Sequence, residues 1–490
     1  MTRFSTSGLL LGAIPLVLRG VEATVVPNPV VTICRQIRDQ ISSVSDVIFP
    51  VQALSFISGT DHWFDTSNEV PTCLLQVGSP ADLSTALQIV GSTRTPFAIM
   101  SGGHASNPGF SSTTGVHISI KRMDQVVLSQ DKSTVEIGFG GTWADAFVAL
   151  EGTGYNAVGG RVPGPGVGGF TLGGGFSWKT NQFGLTCDTV KRYNLVLPNG
   201  TITYASQTNN PDLFFALKGG MNRYGVVTSA VFATHVQPPK VWGGLRIYPG
   251  SSVNAVLAAT AQFYAQNTDP KAVIISTIEA GATGTTALVL FFYDGPEKPA
   301  IFNLFDNVTS LLSLTQQQNF SALVKSFPAG LSEPRNVRGA FHTFSTSSLT
   351  PRFLAAIKNE TDSISQVFSL HGGTEAGYDI EPFVPFGQYA TDSAYPHANS
   401  PLPLNLYFAW APSSQDEWWY ARIRQSVATL KQVAIEEGIY SSSLASYPNY
   451  AITGTPVNEM YGSANAARLR QIRDQVDPTR IMDLAGGFPI

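Results

Sequence analysis

Two glycine-rich stretches decide the fold: residues 96–106 read Pro-Phe-Ala-Ile-Met-Ser-Gly-Gly-His-Ala-Ser, and residues 159–178 read Gly-Gly-Arg-Val-Pro-Gly-Pro-Gly-Val-Gly-Gly-Phe-Thr-Leu-Gly-Gly-Gly-Phe-Ser-Trp. In the first, a predicted strand leads into a Gly-Gly turn. Its successive backbone N–H groups would form a concave site for phosphate or pyrophosphate. In the second, the many glycines indicate a backbone that lies very close to a flat, phosphorylated ligand, because side chains would block that approach.

A dinucleotide-binding pattern, Gly-x-Gly-x-x-Gly, is formally matched by residues 164–169. In a Rossmann fold this pattern follows a strand and opens a helix. No clear strand precedes it here, and Pro165 and Gly168 are poor residues for a helix. The match therefore does not favour a nicotinamide dinucleotide site.

The composition is that of a weakly charged globular protein. The chain has 490 residues, of which 43% are hydrophobic and 13% charged, with a net charge of −4. Charged residues usually make up about 25%. The lack of a basic surface argues against nucleic acid and against an anionic membrane surface as partners. The length suits two large units, or about three domains of roughly 150 residues.

The N-terminus has the three-part layout of a secretory signal peptide, so we predict that residues 1–23 are removed and that the protein is secreted and soluble. Arg3 precedes the apolar run of residues 9–18, and Val21-Glu22-Ala23 offers a cleavage site. The run is too short to span a bilayer, which takes about 20 residues. Four N-glycosylation sequons agree with export: Asn199, Asn307, Asn319 and Asn359.

The cysteines are Cys34, Cys73 and Cys187. In an oxidising compartment two of them can pair and one is left over. Their spacing fits no zinc site, and no metal is expected. Spacing alone leaves the pairing open. We favour Cys34–Cys73, which would tie the N-terminal helix to the body of the fold, and leave the role of Cys187 open.

Apolar spacing and turn signals predict an α+β protein with an inserted domain. Before Pro238-Pro239, short strands and helices alternate with glycine loops. Residues 241–445 have fewer glycine clusters and longer apolar strands, such as 287–293 and 404–410, which long helices interrupt. We read residues 241–445 as a second domain.

Four motifs, in order along the chain, resemble those of FAD-linked oxidases of the berberine-bridge-enzyme type, within the vanillyl-alcohol-oxidase superfamily. Residues 96–106 resemble the pyrophosphate loop of that family, and residues 161–178 resemble the loop beside the isoalloxazine. Residues 219–228, Gly-Gly-Met-Asn-Arg-Tyr-Gly-Val-Val-Thr, resemble the strand near the adenine and ribose. Residues 461–478 resemble the C-terminal signature. The resemblance covers nearly the whole mature chain.

The resemblance implies a domain division. A PCMH-type FAD-binding domain of two subdomains is expected over residues 24–240. An inserted substrate-binding domain of antiparallel sheet plus helices is expected over residues 241–445. Residues 446–490 are expected to return to the FAD domain.

The resemblance also implies the cofactor site. His104 matches the histidine that bonds covalently to the flavin 8α-methyl group, and imidazole is a suitable nucleophile near neutral pH. Val162 stands where some members carry a second, cysteine link, so a single covalent link is expected. The other residues expected at FAD are Ser101, Gly102, Gly103, Ala105, Ser106, Gly164, Gly168, Gly169, Gly174, Gly225, Val227 and Asn465.

The resemblance implies Tyr450 as the catalytic base, because Tyr447-Pro-Asn-Tyr resembles the family's Tyr-x-Asn-Tyr stretch. A phenol has a pKa near 10, so its surroundings would have to acidify it for work at neutral pH. Three further residues of the inserted domain are candidates to line the substrate pocket: Asp379, Glu381 and His397.

The expected activity is transfer of a hydride from a substrate C–H to covalently bound FAD, with molecular oxygen as the acceptor that yields hydrogen peroxide. Pro165 stands where the family often has a small residue that gates oxygen, which leaves dehydrogenase behaviour open. The substrate is predicted to be an alcohol, alkaloid or polyketide of secondary metabolism. The alternative is an extracellular sugar or oligosaccharide oxidase. A third hypothesis, of another class, is a flavin-binding surface protein with low turnover. The oligomeric state stays open.

Overall fold

The computed structural model describes residues 28–327 and 337–490, and the predicted signal peptide, residues 1–23, lies outside the described residues. Within them, three large sheets of four, five and eight strands carry helices on their faces. This architecture confirms the predicted α+β class.

The first sheet carries the first glycine loop. Its strands lie in the order Asp46–Ile48, Cys73–Gln76, Val116–Ser119 and Phe97–Met100. The last three are parallel, and the helix Pro80–Thr93 connects two of them. The glycine loop therefore begins at the carboxyl ends of parallel strands, where α/β sheets bind their ligands.

A disulfide attaches the N-terminal helix to this sheet. The helix Pro29–Gln40 begins after Asn28, whose side chain accepts a hydrogen bond from the N–H of Val30 at 3.0 Å. Cys34 on its buried side is bonded to Cys73. The predicted pairing is confirmed, and Cys187 is a buried free thiol.

The second sheet is antiparallel, and the second glycine stretch lies beside it. The order of its strands is Val126–Leu128, Thr134–Gly138, Val226–Ala233, Val190–Val196 and Ile202–Ser206. Gly225 precedes the central strand with a φ of +122°, and a Cβ there would lie 2.5 Å from the carbonyl oxygen of Val196. Only glycine fits this approach without strain.

The third sheet is large and antiparallel, and it forms one wall of the site. Two helices, Pro351–Val367 and Asp416–Glu436, pack on its outer face. The order of its strands is Leu312–Ser313, Val241–Tyr248, Gly284–Tyr293, Ala272–Gly281, Gly373–Ile380, Leu402–Trp410 and Arg338–Thr346, with Gln316–Gln318 also paired to Val241–Tyr248.

The C-terminal segment packs on the part of the chain that holds the glycine loops. Its helix Val457–Val476 bends at Gly462, which has a φ of +69°. Beyond it, Arg223 donates hydrogen bonds to the carbonyl oxygens of Met482 and Phe488 at 2.8 and 2.7 Å.

Shorter elements complete the fold, including a ladder of Tyr155–Asn156 with His235–Val236. No helix in residues 28–327 or 337–490 is both long and apolar enough to cross a bilayer. The remaining α-helices are Ala53–Thr60, Trp143–Leu150, Val167–Leu172, Thr180–Phe183, Thr186–Thr189, Pro211–Leu217, Val253–Gln266 and Phe320–Ser326. The 3₁₀ turns are Asp65–Ser67, Gly250–Ser252, Ala300–Phe305, Ser369–His371, Gly387–Tyr389, Ser413–Gln415, Pro448–Tyr450 and Met482–Leu484.

Candidate active site

A cavity of about 350 Å³ lies between the two glycine stretches and the inner face of the large sheet. Its apolar walls and few convergent polar groups are typical of a small-molecule site. Most of the residues predicted from the sequence meet in it: Ser101, Gly102, Gly103, His104, Ala105, Ser106, Gly168, Gly169, Gly225, Val227, Asp379 and Tyr450.

The two glycine stretches approach each other backbone to backbone. A Cβ on Gly102 would lie 2.4 Å from the nitrogen of Gly166, and a Cβ on Gly166 would lie 2.3 Å from the nitrogen of Gly102. Ser101 reinforces the contact, because its Oγ donates to the carbonyl oxygen of Phe139 at 2.5 Å and accepts from the N–H of Gly168 at 3.3 Å. No other residue type fits at either glycine without moving the partner loop.

The first loop offers free donors to the cavity. The N–H groups of Gly103, His104 and Ala105 donate to no acceptor within the described residues. Gly103 has a φ of +73°, the left-handed conformation that such a concave run of N–H groups needs. Consecutive unpaired amides are costly unless a ligand accepts from them, and a pyrophosphate group fits that role.

His104 is held by packing rather than by hydrogen bonds within the described residues. The indole of Trp63 is stacked on its imidazole, with the ring centres 4.7 Å apart and an angle of 11° between the planes. On another side, a Cβ on Gly164 would lie 2.1 Å from His104 Nε2, so the glycine makes room for that edge of the ring. Burial lowers the pKa of His104 to about 4, which keeps the imidazole neutral and nucleophilic at neutral pH.

A buried ion pair supports Tyr450. The guanidinium of Arg161 donates to both carboxylate oxygens of Glu381, at 2.5 and 2.9 Å. Arg161 Nη2 also donates to the phenol oxygen of Tyr450 at 2.6 Å, and that phenol donates to Glu381 Oε1 at 3.2 Å. Glu381 therefore lies behind the cavity wall, where it contacts Tyr450 rather than the cavity itself.

The surroundings do not acidify the Tyr450 phenol. Burial raises the pKa of Tyr450 well above its usual value, and the neighbouring Glu381 carboxylate adds to this shift, whereas Arg161 opposes it. The phenol is therefore protonated at neutral pH. A simple role as a tyrosinate base, which the sequence suggested, does not suit this arrangement.

The other tyrosine of the motif joins the C-terminal segment to the second glycine stretch. The hydroxyl of Tyr447 accepts from the N–H of Gly175 at 2.9 Å. Asn449 Nδ2 donates to the carbonyl oxygen of Phe170 at 3.0 Å. These bonds fix the position of Tyr450 relative to the loop.

Five predicted site residues do not line the cavity: Glu381 and Gly164, described above, and His397, Asn465 and Gly174. His397 is buried instead against the segment that follows the second glycine stretch, with its Nε2 2.8 Å from a carboxylate oxygen of Asp188. The side-chain amide of Asn465 donates to the carbonyl oxygens of Ser393 and Ala394, so it anchors the same loop. Gly174 packs beside the rings of Tyr447 and Tyr395, where its φ of +116° suits glycine. His397, Asn465 and Gly174 were expected to contact a ligand. In the structure, His397 and Asn465 support this loop instead, and Gly174 packs against Tyr447.

Sequence analysis missed several residues that line the cavity. Arg161 begins the motif of residues 161–178, and a charged side chain beside a glycine loop is a local signal of a functional role. Trp63, Phe341 and Asn405 carry no local signal, because distant elements bring them to the cavity.

Comparison with known proteins supports FAD as the ligand of this part of the chain. A model of the FAD binding domain matches residues 71–206. An FAD-linked oxidoreductase from Arthroderma benhamiae is 36% identical over 257 residues, which is 52% of this chain and 51% of that protein. The alignment thus spans about half the length of that relative. An FAD-dependent monooxygenase from Cochliobolus heterostrophus is 29% identical over 447 residues, covering 86% of this chain and 85% of that protein.

Solved structures share the fold over nearly the whole chain. The 6-hydroxy-D-nicotine oxidase of Arthrobacter nicotinovorans superimposes with a TM-score of 0.78 at 19% identity, covering 91% of this chain and 98% of that one. A glucooligosaccharide oxidase from Acremonium strictum, whose FAD is 6-S-cysteinyl and 8α-N1-histidyl, gives a TM-score of 0.75 at 18% identity, covering 92% and 97%. At these identities the likeness establishes the fold.

Two glycine substitutions test whether FAD lies in this cavity. A Cβ on Gly169 meets nothing within 4 Å and points into open space, whereas a Cβ on Gly166 collides with backbone. We expect the cofactor-free Gly169→Leu variant to have the melting temperature of the cofactor-free parent. We expect it to bind FAD on the order of tenfold more weakly, or worse. Gly166→Ala should lower the melting temperature itself. Flavin per chain and thermal unfolding measure both, and a Gly169→Leu protein that binds FAD as the parent does would place the cofactor elsewhere.

Proposed function

We propose that this chain is an FAD-linked oxidoreductase that oxidises a small, largely apolar metabolite at a C–H bond next to a hydroxyl or amine. The FAD binding domain over residues 71–206, the FAD-dependent relatives and the fold shared with flavin oxidases support this proposal. The observation that carries this proposal is the cavity wall opposite the glycine loops. It is formed by Ile275, Leu288, Leu290 and Phe341, with a few polar groups between them. An oligosaccharide would leave its many hydroxyls unpaired against such a wall.

The residues of the cavity fit FAD. The unpaired N–H groups of residues 103–105 suit the pyrophosphate, and the second glycine stretch, residues 159–178, lets a flat ring come close to its backbone. When bound, FAD supplies the acceptor for the two electrons of the oxidised C–H bond. Molecular oxygen as the final acceptor, with hydrogen peroxide as the product, is part of the proposal, as is secretion of the mature chain.

We assign the covalent tether to His104. Its imidazole is neutral, it lines the cavity, and its Nε2 edge is packed against Gly164. This packing favours Nδ1 as the reacting nitrogen. Val162, which also lines the cavity, offers no thiol for a second link.

We assign proton transfer to Tyr450 as a relay rather than as a base. The substrate hydroxyl proton moves to the phenol oxygen of Tyr450 while the phenol's own proton moves to Glu381 Oε1, 3.2 Å away. This route needs no free tyrosinate, which agrees with the raised pKa of Tyr450. Arg161 holds Glu381 in place and balances its charge before the proton arrives.

The tether predicts an acid-stable flavin. After precipitation in acid, the parent protein should retain flavin fluorescence in the pellet, because a covalent bond survives unfolding. His104→Ala should release its flavin to the supernatant while it still binds FAD through the loops. A dark pellet from the parent, or a fluorescent pellet from His104→Ala, would refute the tether.

The relay predicts similar losses from its two members. With substrate found in a panel of alcohols and amines by peroxide release, Tyr450→Phe and Glu381→Gln should each slow anaerobic bleaching of the flavin on the order of 10²-fold to 10⁴-fold. Substrate affinity should change far less. Glu436→Gln, an exposed carboxylate paired with Arg352, is the control and should keep the parent rate. A Glu381→Gln protein as fast as the parent would exclude Glu381 as the proton acceptor.

A further inference from the structure

A second polar corner of the cavity has no part in the relay. It lies on three neighbouring strands of the large sheet, where Thr277 pairs in register with Asp379 and Asp379 pairs with Asn405. All three side chains line the cavity. Thr277 Oγ1 donates to Asp379 Oδ1 at 2.6 Å, and Asn405 Nδ2 donates to Asp379 Oδ2 at 2.9 Å.

This corner leaves one acceptor without a partner. An ionised carboxylate only accepts hydrogen bonds, so the atom of Asn405 that faces Asp379 must be the amide nitrogen. The other atom, Asn405 Oδ1, is buried and has no hydrogen-bond partner within the described residues, and the residue is 4% exposed. An unpaired buried acceptor costs free energy until a donor reaches it.

The charge around this corner is negative. Burial raises the pKa of Asp379 to about 6, and the Glu381 carboxylate acts in the same direction. On the same sheet, burial together with Glu375 and Asp379 raises the pKa of Glu279 to about 8, so Glu279 is protonated at neutral pH and adds no charge. The nearby cation, Arg161, is already bonded to Glu381 on both carboxylate oxygens. Within the described residues, the negative charge of the corner therefore comes from Asp379, which is paired with no cation.

We propose that Asp379 and Asn405 form a subsite for a protonated amine of the substrate. This inference rests on the proposed function, because it assigns a feature of the substrate at the same cavity. An ammonium group brings several N–H donors and a positive charge, so it can donate to Asn405 Oδ1 and to Asp379 together. A neutral hydroxyl brings one donor and no charge. The apolar side chains of Ile275, Leu288 and Leu290 in the same wall would contact the hydrocarbon part of the substrate.

The test compares two probes of similar shape, 3-phenylpropylammonium and 3-phenyl-1-propanol, on the purified flavoprotein. Binding is measured by the change in flavin absorbance and by the rise in melting temperature. We expect the amine to bind about tenfold or more tightly than the alcohol. Asp379→Asn should abolish that preference, and Asn405→Leu should weaken amine binding by about threefold to tenfold. Ile275→Val, a control in the same wall, should keep the preference.

Three outcomes would overturn the subsite: equal binding of the two probes, a preference that survives Asp379→Asn, or an amine that neither shifts the spectrum nor raises the melting temperature. Tyr450→Phe separates this inference from the proposed function, because that variant should lose flavin reduction yet keep amine binding. If the amine binds by Asp379 and Asn405 but no amine or alcohol bleaches the flavin, the proposed oxidation fails and the subsite stands.

Discussion

The contact between the backbones of Gly102 and Gly166 is the constraint on which the site depends. These residues belong to stretches more than 60 positions apart, one at the end of a parallel strand and one beside the antiparallel sheet. A Cβ on either would reach within 2.4 Å of the other's nitrogen. This close approach places His104 against Gly164 and leaves the amides of the first loop facing the cavity. Glycine at these two positions is thus a requirement of the packing between the two stretches.

Buried polar contacts hold the large sheet over the two glycine stretches. Arg161 and Glu381 pair across the cavity wall with side chains 8% and 1% exposed. Lys179 pairs with Asp294 at 3.4 Å, and His397 contacts Asp188 at 2.8 Å. Buried ion pairs add little net stability, but removal of one partner is costly because it leaves a buried charge uncompensated. We therefore infer that the two ion pairs, together with the His397–Asp188 hydrogen bond, fix the position of the sheet.

Much of the fold and of the residues that line the cavity could be predicted from the sequence, because the signals there are local. The Gly-Gly turn after an apolar strand predicted a loop with a concave run of N–H groups, and the ordered motifs carried the family resemblance. The residues of the substrate wall could not be predicted, because strand register in a distant sheet decides that Thr277, Asp379 and Asn405 meet. His397 and Asn465 were predicted to contact a ligand and do not, for a related reason. A polar residue buried between two parts of a chain looks, in sequence, like a ligand-binding residue. The signal peptide, the domain boundaries and the covalent link stay predictions.

A crystal structure of the flavoprotein would test the central claim most directly. The account predicts that the pyrophosphate accepts hydrogen bonds from the amides of residues 103–105. It also predicts that the isoalloxazine lies between His104 and Tyr450, over the contact between Gly102 and Gly166, with the two loops still in contact. Electron density for FAD outside this cavity, or loops that separate to admit it, would contradict the account.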